Sequence, residues 1–79
     1  MSEIVKKVFG EVLRVHRSDI NCTQQEISLR CNMSLRFYQD LEAGNKQASL
    51  TTLFKLADAL EVNPDKLIKK AYREWLKEK

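Results

Sequence analysis

Residues 23–45, TQQEISLRCNMSLRFYQDLEAGN, decide the fold. Thr23 can cap a helix whose third residue is Glu26, the reciprocal capping-box arrangement that satisfies two backbone N–H groups at once. Ile27 and Cys31 then lie one turn apart and give a short helix over residues 24–31 a single apolar edge. Asn32 tolerates the left-handed conformation that stops a helix, and Met33 carries the chain onward. Ser34 is a second N-cap. It opens a helix over residues 35–43 whose buried stripe is Tyr38 and Leu41. Gly44 and Asn45 close that helix.

Two short, separately capped helices joined through Asn32-Met33-Ser34 make a helix-turn-helix. The stretch resembles the lambda-repressor and Cro-like family of helix-turn-helix proteins, the XRE family. The resemblance is carried by Thr23-Gln24, Ile27, Cys31-Asn32-Met33-Ser34, Tyr38, Leu41-Glu42 and Gly44. It continues through Ser49-Leu50, Leu53, Leu56-Ala57 and Ala59-Leu60, so it runs over about residues 9–68. It implies an all-α, five-helix lambda-repressor-like domain over residues 1–79. In such domains the second helix of the motif enters the DNA major groove while the first crosses the backbone.

Length and composition agree with one small domain. Seventy-nine residues cannot hold two cores, and a chain of this size gains from dimerisation. Only two Gly and one Pro point to helices with short turns, and 43% hydrophobic residues suit a packed fold. The net charge of +3 leans toward an anionic partner. Cys22 and Cys31 are too few for a disulfide scaffold, which fits a reduced, cytoplasmic setting. A metal site built from His16, Cys22 and Cys31 lacks a fourth ligand. No apolar run approaches the ~18 residues of a membrane span, and no cofactor motif is present. Nor is there a Ser/His/Asp set, a carboxylate pair in a Gly-rich cleft or a phosphate loop, so an enzyme is not expected.

A first helix over residues 3–18 is expected to face the core with Val5, Phe9, Val12, Leu13 and His16, with Ile4 and Val8 lengthening the stripe. Gly10 lies mid-helix, at a cost of up to ~1 kcal/mol relative to Ala, which suggests close packing there. Asn21 suits a left-handed stop. Ser49 caps a fourth helix with the stripe Leu50, Leu53, Leu56, Ala57 and Leu60. Asn63-Pro64-Asp65 starts a fifth over about residues 64–77, with Asn as cap and Pro at the first position.

The resemblance assigns roles to several side chains. Arg17 is expected to pair with Glu42, tying the first helix to the end of the recognition helix. Gln24 is expected to touch DNA backbone and brace the recognition helix. Thr23, Ser34, Asn45, Lys46 and Gln47 are the other candidates for phosphate contact, since polar side chains and free N–H groups suit that task. On the recognition helix, Leu35, Arg36, Phe37 and Gln39 are the candidate base readers. Arg36 can grip guanine O6 and N7, Gln39 can take adenine or phosphate, and an apolar side chain can pack on a thymine methyl. Two placements stay open at this point: Phe37 faces DNA, or Phe37 joins the core and Tyr38 tilts outward. Asp40 is out of place beside phosphate unless it accepts from cytosine or pairs internally.

In the fifth helix, Leu67 and Ala71 are expected inward, while Ile68, Tyr72, Trp75 and Leu76 form a two-fold dimer interface. The alternative is that this helix simply folds over the first. Together these features imply a homodimeric transcriptional regulator on a pseudo-palindromic DNA operator, repressing or recruiting RNA polymerase. Length and the added helix point among family members to controller proteins of restriction–modification operons. Competing possibilities are an autorepressing antitoxin and a protein-interaction module that lost DNA binding, the latter suggested by Asp40 and the low net charge.

Overall fold

The first four helices all end the same way, and these endings define the architecture. In the computed structural model, which describes residues 2–79, the chain forms α1 (Ser2–Asp19), α2 (Gln24–Arg30), α3 (Leu35–Ala43), α4 (Leu50–Ala59) and α5 (Pro64–Glu78). Asn21, Asn32, Gly44 and Glu61 follow the first four helices with φ of 57°, 55°, 79° and 61°. Behind each, the next N–H reaches back to a carbonyl five residues earlier: Cys22 to Arg17, Met33 to Ser28, Asn45 to Asp40 and Val62 to Ala57, at 2.9–3.2 Å. This double wrap satisfies carbonyls the helix leaves unpaired and reverses the chain sharply.

The starts are equally local. Glu26 N–H donates to Thr23 Oγ1 at 3.1 Å while Thr23 N–H donates to Glu26 Oε1 at 2.7 Å, completing the capping box. Ser34 Oγ accepts from Phe37 N–H and Ser49 Oγ from Thr52 N–H, at 3.0 and 3.1 Å. Asn63 departs from expectation. It stands at the cap position of α5, but its side chain makes no capping bond. Pro64 supplies the fixed φ that starts the helix instead.

Glu61 is the one turn residue whose chemistry opposes its conformation. A Cβ in the left-handed region costs about 1–2 kcal/mol, and its exposed pair with Arg30 at 3.4 Å offsets little of that. Glu61→Gly should therefore stabilise by about 0.5 kcal/mol after glycine's own entropy cost. The thermal midpoint should rise by about 2–4 °C. An unchanged midpoint would mean that the Arg30 contact holds the turn.

The core joins all five helices. Leu13, Ile27, Tyr38, Leu41, Leu56, Leu60 and Leu67 are fully buried, with Cys22 and Cys31 as small free thiols among them. His16 is buried where α1 meets α5, and burial, then the charge of Lys70, holds its pKa below the usual imidazole value. α1 packs chiefly on α5 and α3. Gly10 explains how closely: it faces the last turn of α3, and any side chain there would collide with the carbonyls of Leu41 and Glu42.

One expectation about an apolar side chain needs correction. Leu50 is 65% exposed instead of lying in the core. As the first residue of α4 it stands at the open end of that helix, and the buried stripe begins at Leu53. Trp75 does not share the open exposure of Ile68, Tyr72 and Leu76. It is half-buried, stacked on Tyr72 at 5.9 Å between ring centroids, with Nε1 shielded and unpartnered. Among the described residues, no helix is long and apolar enough to cross a membrane, and no group of three His, Cys, Asp or Glu could hold a metal.

Candidate nucleic-acid interface

Glu42 is the hub that fixes α3. It lies in the last turn of that helix with its side chain only 5% exposed, and three side chains from three helices donate to it. Arg17 of α1 donates through Nε to Oε2 at 2.6 Å and through Nη2 to Oε1 at 3.2 Å, the two-pronged geometry a guanidinium favours. The remaining prong, Nη1, donates to the Cys22 carbonyl at 2.9 Å, gripping the α1–α2 turn. Tyr38 donates its hydroxyl to Oε2 from within α3, and Gln24 of α2 donates Nε2 to Oε1 at 2.9 Å. One carboxylate thus sets the angle between α1, α2 and α3.

Burial pushes the Glu42 carboxyl up, but the hydrogen bonds from Arg17, Tyr38 and Gln24 outweigh it and hold the pKa below 4.5. The Tyr38 phenol moves upward, because burial and the adjacent carboxylate both disfavour a phenolate. The hub at neutral pH is therefore a carboxylate facing one cation and two neutral donors.

From this hub a chain of contacts runs outward. Gln39 Nε2 donates to Gln24 Oε1 at 3.3 Å, so the first residue of α2 holds an exposed side chain of α3. Gln24 braces α3 directly, as the resemblance implied, and its own amide is partly committed to that task. Around Gln39 the outer surface of α3 carries Leu35 and Arg36, both exposed, with Arg36 at 84%. Asp40 pairs internally: its Oδ1 lies 3.6 Å from Arg36 Nε, one turn back on the same helix.

The choice between the two aromatic residues is decided by burial. Tyr38 is fully buried with its hydroxyl on Glu42, so it does not tilt outward. Phe37 is half-buried against the core, which leaves part of its ring at the surface. Thr23 and Ser34 stand exposed at the starts of α2 and α3, and Asn45, Lys46 and Gln47 are exposed on the loop after α3. Of the expected phosphate-binding residues, Gln24 is half-buried and the others are exposed, as are Leu35, Arg36 and Gln39 of α3.

The helix-turn-helix family matches residues 13–67, which include both motif helices and the hub residues Arg17, Gln24, Tyr38 and Glu42. The chain belongs to the helix-turn-helix family of XRE-type transcriptional regulators. Within this family it is similar to the control protein C.BamHI of Bacillus amyloliquefaciens, 28% identical over 69 residues, 86% of this chain and 85% of that protein. An uncharacterised helix-turn-helix regulator of Sinorhizobium fredii, y4dJ, is 30% identical over 64 residues, 81% of this chain and 83% of its own. Among solved structures, the restriction-modification controller protein C.AhdI of Aeromonas hydrophila superposes with a TM-score of 0.75. It is 28% identical, and the match covers 85% of this chain and 98% of that one. The clp gene regulator ClgR of Corynebacterium glutamicum gives 0.82 at 25% identity over 86% and 88% of the two chains. These two solved structures share the lambda-repressor-like fold of this five-helix chain.

A second surface adjoins this helix-turn-helix. Val5, Phe9, Leu50, Ile68, Tyr72 and Trp75 line an open apolar groove of about 540 Å3 between α1, α5 and the start of α4. Leu76 stands apart from it, beside Val15 and His16 in a second cleft between α1 and α5. Phe54, one turn after Leu50, is also exposed. The sequence pattern placed only the α5 part of this surface. Leu50 falls in the apolar stripe of α4 by its spacing, and Phe54 lies off that stripe, so periodicity assigns neither to this surface.

Proposed function

We propose that the protein is a sequence-specific DNA-binding regulator that acts as a homodimer on a palindromic operator, in the manner of a restriction–modification controller. The anchoring of α3 through Glu42 carries this proposal. It holds Leu35, Arg36 and Gln39 outward on one helix while tying the helix to α1 and α2, which is what insertion into a major groove requires. Thr23, Gln24, Ser34, Asn45, Lys46 and Gln47 would grip phosphates on either side. The apolar groove between α1, α5 and the start of α4 is the natural seat of a second copy, with Leu50, Ile68, Tyr72 and Trp75 lining it, exposed Phe54 one turn further along α4, and Leu76 covered only where the partner also reaches the neighbouring α1–α5 cleft. Two recognition helices would then enter successive major grooves about 34–36 Å apart on one DNA face. RNA polymerase would be met or blocked from the same side of the duplex. The control protein and the controller protein among the relatives favour the restriction–modification assignment over an antitoxin.

The test is selection of duplexes from a random pool on purified protein, followed by titration of the recovered site at several salt concentrations. A two-fold symmetric site bound by a dimer is expected. Arg36→Ala should then relax preference at one base pair per half-site by about 1–3 kcal/mol. Lys46→Ala should instead weaken binding to all sequences and flatten the salt dependence. Weak binding to every duplex, with nothing enriched at low salt, would overturn the proposal.

A further inference from the structure

Asp40 is a carboxylate on the helix that the proposed function places against polyanionic DNA, and its local setting gives it no reason to be there. It lies in the second half of α3, where the helix dipole disfavours a negative charge. Its partner Arg36 precedes it by four residues, the weaker order for a helical ion pair. With Arg36 84% exposed, the pair is too solvated to matter much for stability. Helix formation therefore does not account for Asp40.

The contact itself has a useful geometry. Asp40 is the less exposed partner, at 21%, and its Oδ1 lies 3.6 Å from Arg36 Nε, within ion-pair reach but beyond hydrogen-bond distance. A guanidinium engaged at Nε keeps both terminal nitrogens free, and these are the pair that spans O6 and N7 of guanine. Arg36 is in the first turn of α3, the end of a recognition helix that reaches base edges. Unsupported, so exposed an Arg side chain samples many rotamers and can settle on phosphate instead of a base. Entry into a major groove would also strip water from the pair and strengthen its attraction.

We infer that Asp40 is a specificity-determining positioning residue, which orients Arg36 through Nε so that its terminal nitrogens read a guanine and are kept off phosphate. This rests on the regulator function proposed above. In the bound state the carboxylate would weaken indiscriminate DNA binding by repulsion and sharpen discrimination through Arg36. A negative charge on the reading face thereby becomes part of the recognition device.

The test uses the full chain and the duplex selected by the wild-type protein, with single base-pair variants at the position whose preference collapses in Arg36→Ala. The readout is the ratio of dissociation constants for variant and selected duplex, in the wild type, Asp40→Asn, Arg36→Ala and the double substitution. Asp40→Asn should lower that ratio by about 5-fold at that base pair while leaving affinity for unrelated DNA equal or higher. In the Arg36→Ala background it should change the ratio no further. Asp40→Glu, which keeps the charge but displaces it by one methylene, should give an intermediate ratio. A ratio unchanged in Asp40→Asn would overturn the inference, as would a preference altered at a different base pair or an additive double substitution. Any of those results with a selected site in hand sinks only the role of Asp40. Failure of the wild type to select a site sinks the regulator function, and this inference with it.

Discussion

Glu42→Ala is expected to destabilise the protein by about 3–5 kcal/mol, because it strands a buried cation. The substitution removes the shared acceptor of Arg17, Tyr38 and Gln24, and the Arg17 side chain is only 16% exposed. Native stability for a domain of this size is about 4–12 kcal/mol, so the loss is a large share of the total. Arg17→Ala should cost less, about 2–3 kcal/mol, since Glu42 keeps two neutral donors while the cation is gone. The two losses should not add, because both act on one network. Thermal denaturation of the single and double variants measures all three quantities, and equal costs for the two singles would show that charge burial is not the dominant effect. The pH dependence follows from the depressed carboxyl pKa. The unfolded chain binds a proton at Glu42 more readily than the folded one, so this stabilisation is fully present above about 4.5 and is lost as pH falls through the lower folded value. The gap between wild type and Glu42→Ala should narrow over that acidic range.

How much of this was legible before the fold depends on how far apart the cooperating atoms lie. Thr23 and Glu26, Ser34 and Phe37, and Asn32 in its left-handed turn are governed by neighbours within a few residues. Short-range chemistry of this kind is written directly into residue order. The spacing of Tyr38 and Leu41 likewise required only one helical turn. Periodicity describes a helix face and not how much of its length is covered, so it assigns Leu50 to the core although the residue is exposed. The half-burial of Trp75 depends on how α5 lies across α1. Glu61 in the left-handed region carries no local signal, since Glu has no special tolerance for a positive φ. The Arg17–Glu42 pair came through family resemblance, not from spacing, since 25 residues separate the two. The link between Gln24 and Gln39 joins residues 15 apart on different helices, so only the folded chain brings them together. The expectation of close packing at Gly10 came from the opposite direction, from the cost of a glycine that a free helix would not tolerate.

Gly10→Ala provides the sharpest opposition between local and tertiary effects. In an isolated helix the change should stabilise by up to about 1 kcal/mol, because alanine gives up less backbone freedom on folding. In this fold the added Cβ would stand 2.4 Å from the Glu42 carbonyl oxygen and 2.6 Å from that of Leu41. Both atoms are backbone at the end of α3, so no side-chain rotation relieves the clash. α1 must move away from α3 by roughly the deficit in van der Waals contact, about 1 Å. That movement loosens the packing of Leu13 and Leu41 and draws Arg17 off Glu42, whose short contacts depend on the same approach. Overpacking of this kind typically costs about 1–3 kcal/mol, and the coupled loss at the ion pair places the net effect near 2–3 kcal/mol of destabilisation. The position is distant from the outer face of α3, yet DNA selectivity should suffer with stability, since the displaced helix is the proposed reader. Equilibrium denaturation decides the sign. A midpoint equal to or above that of the wild type would mean that α1 and α3 can separate freely. The hub at Glu42 could not then be what fixes the recognition helix.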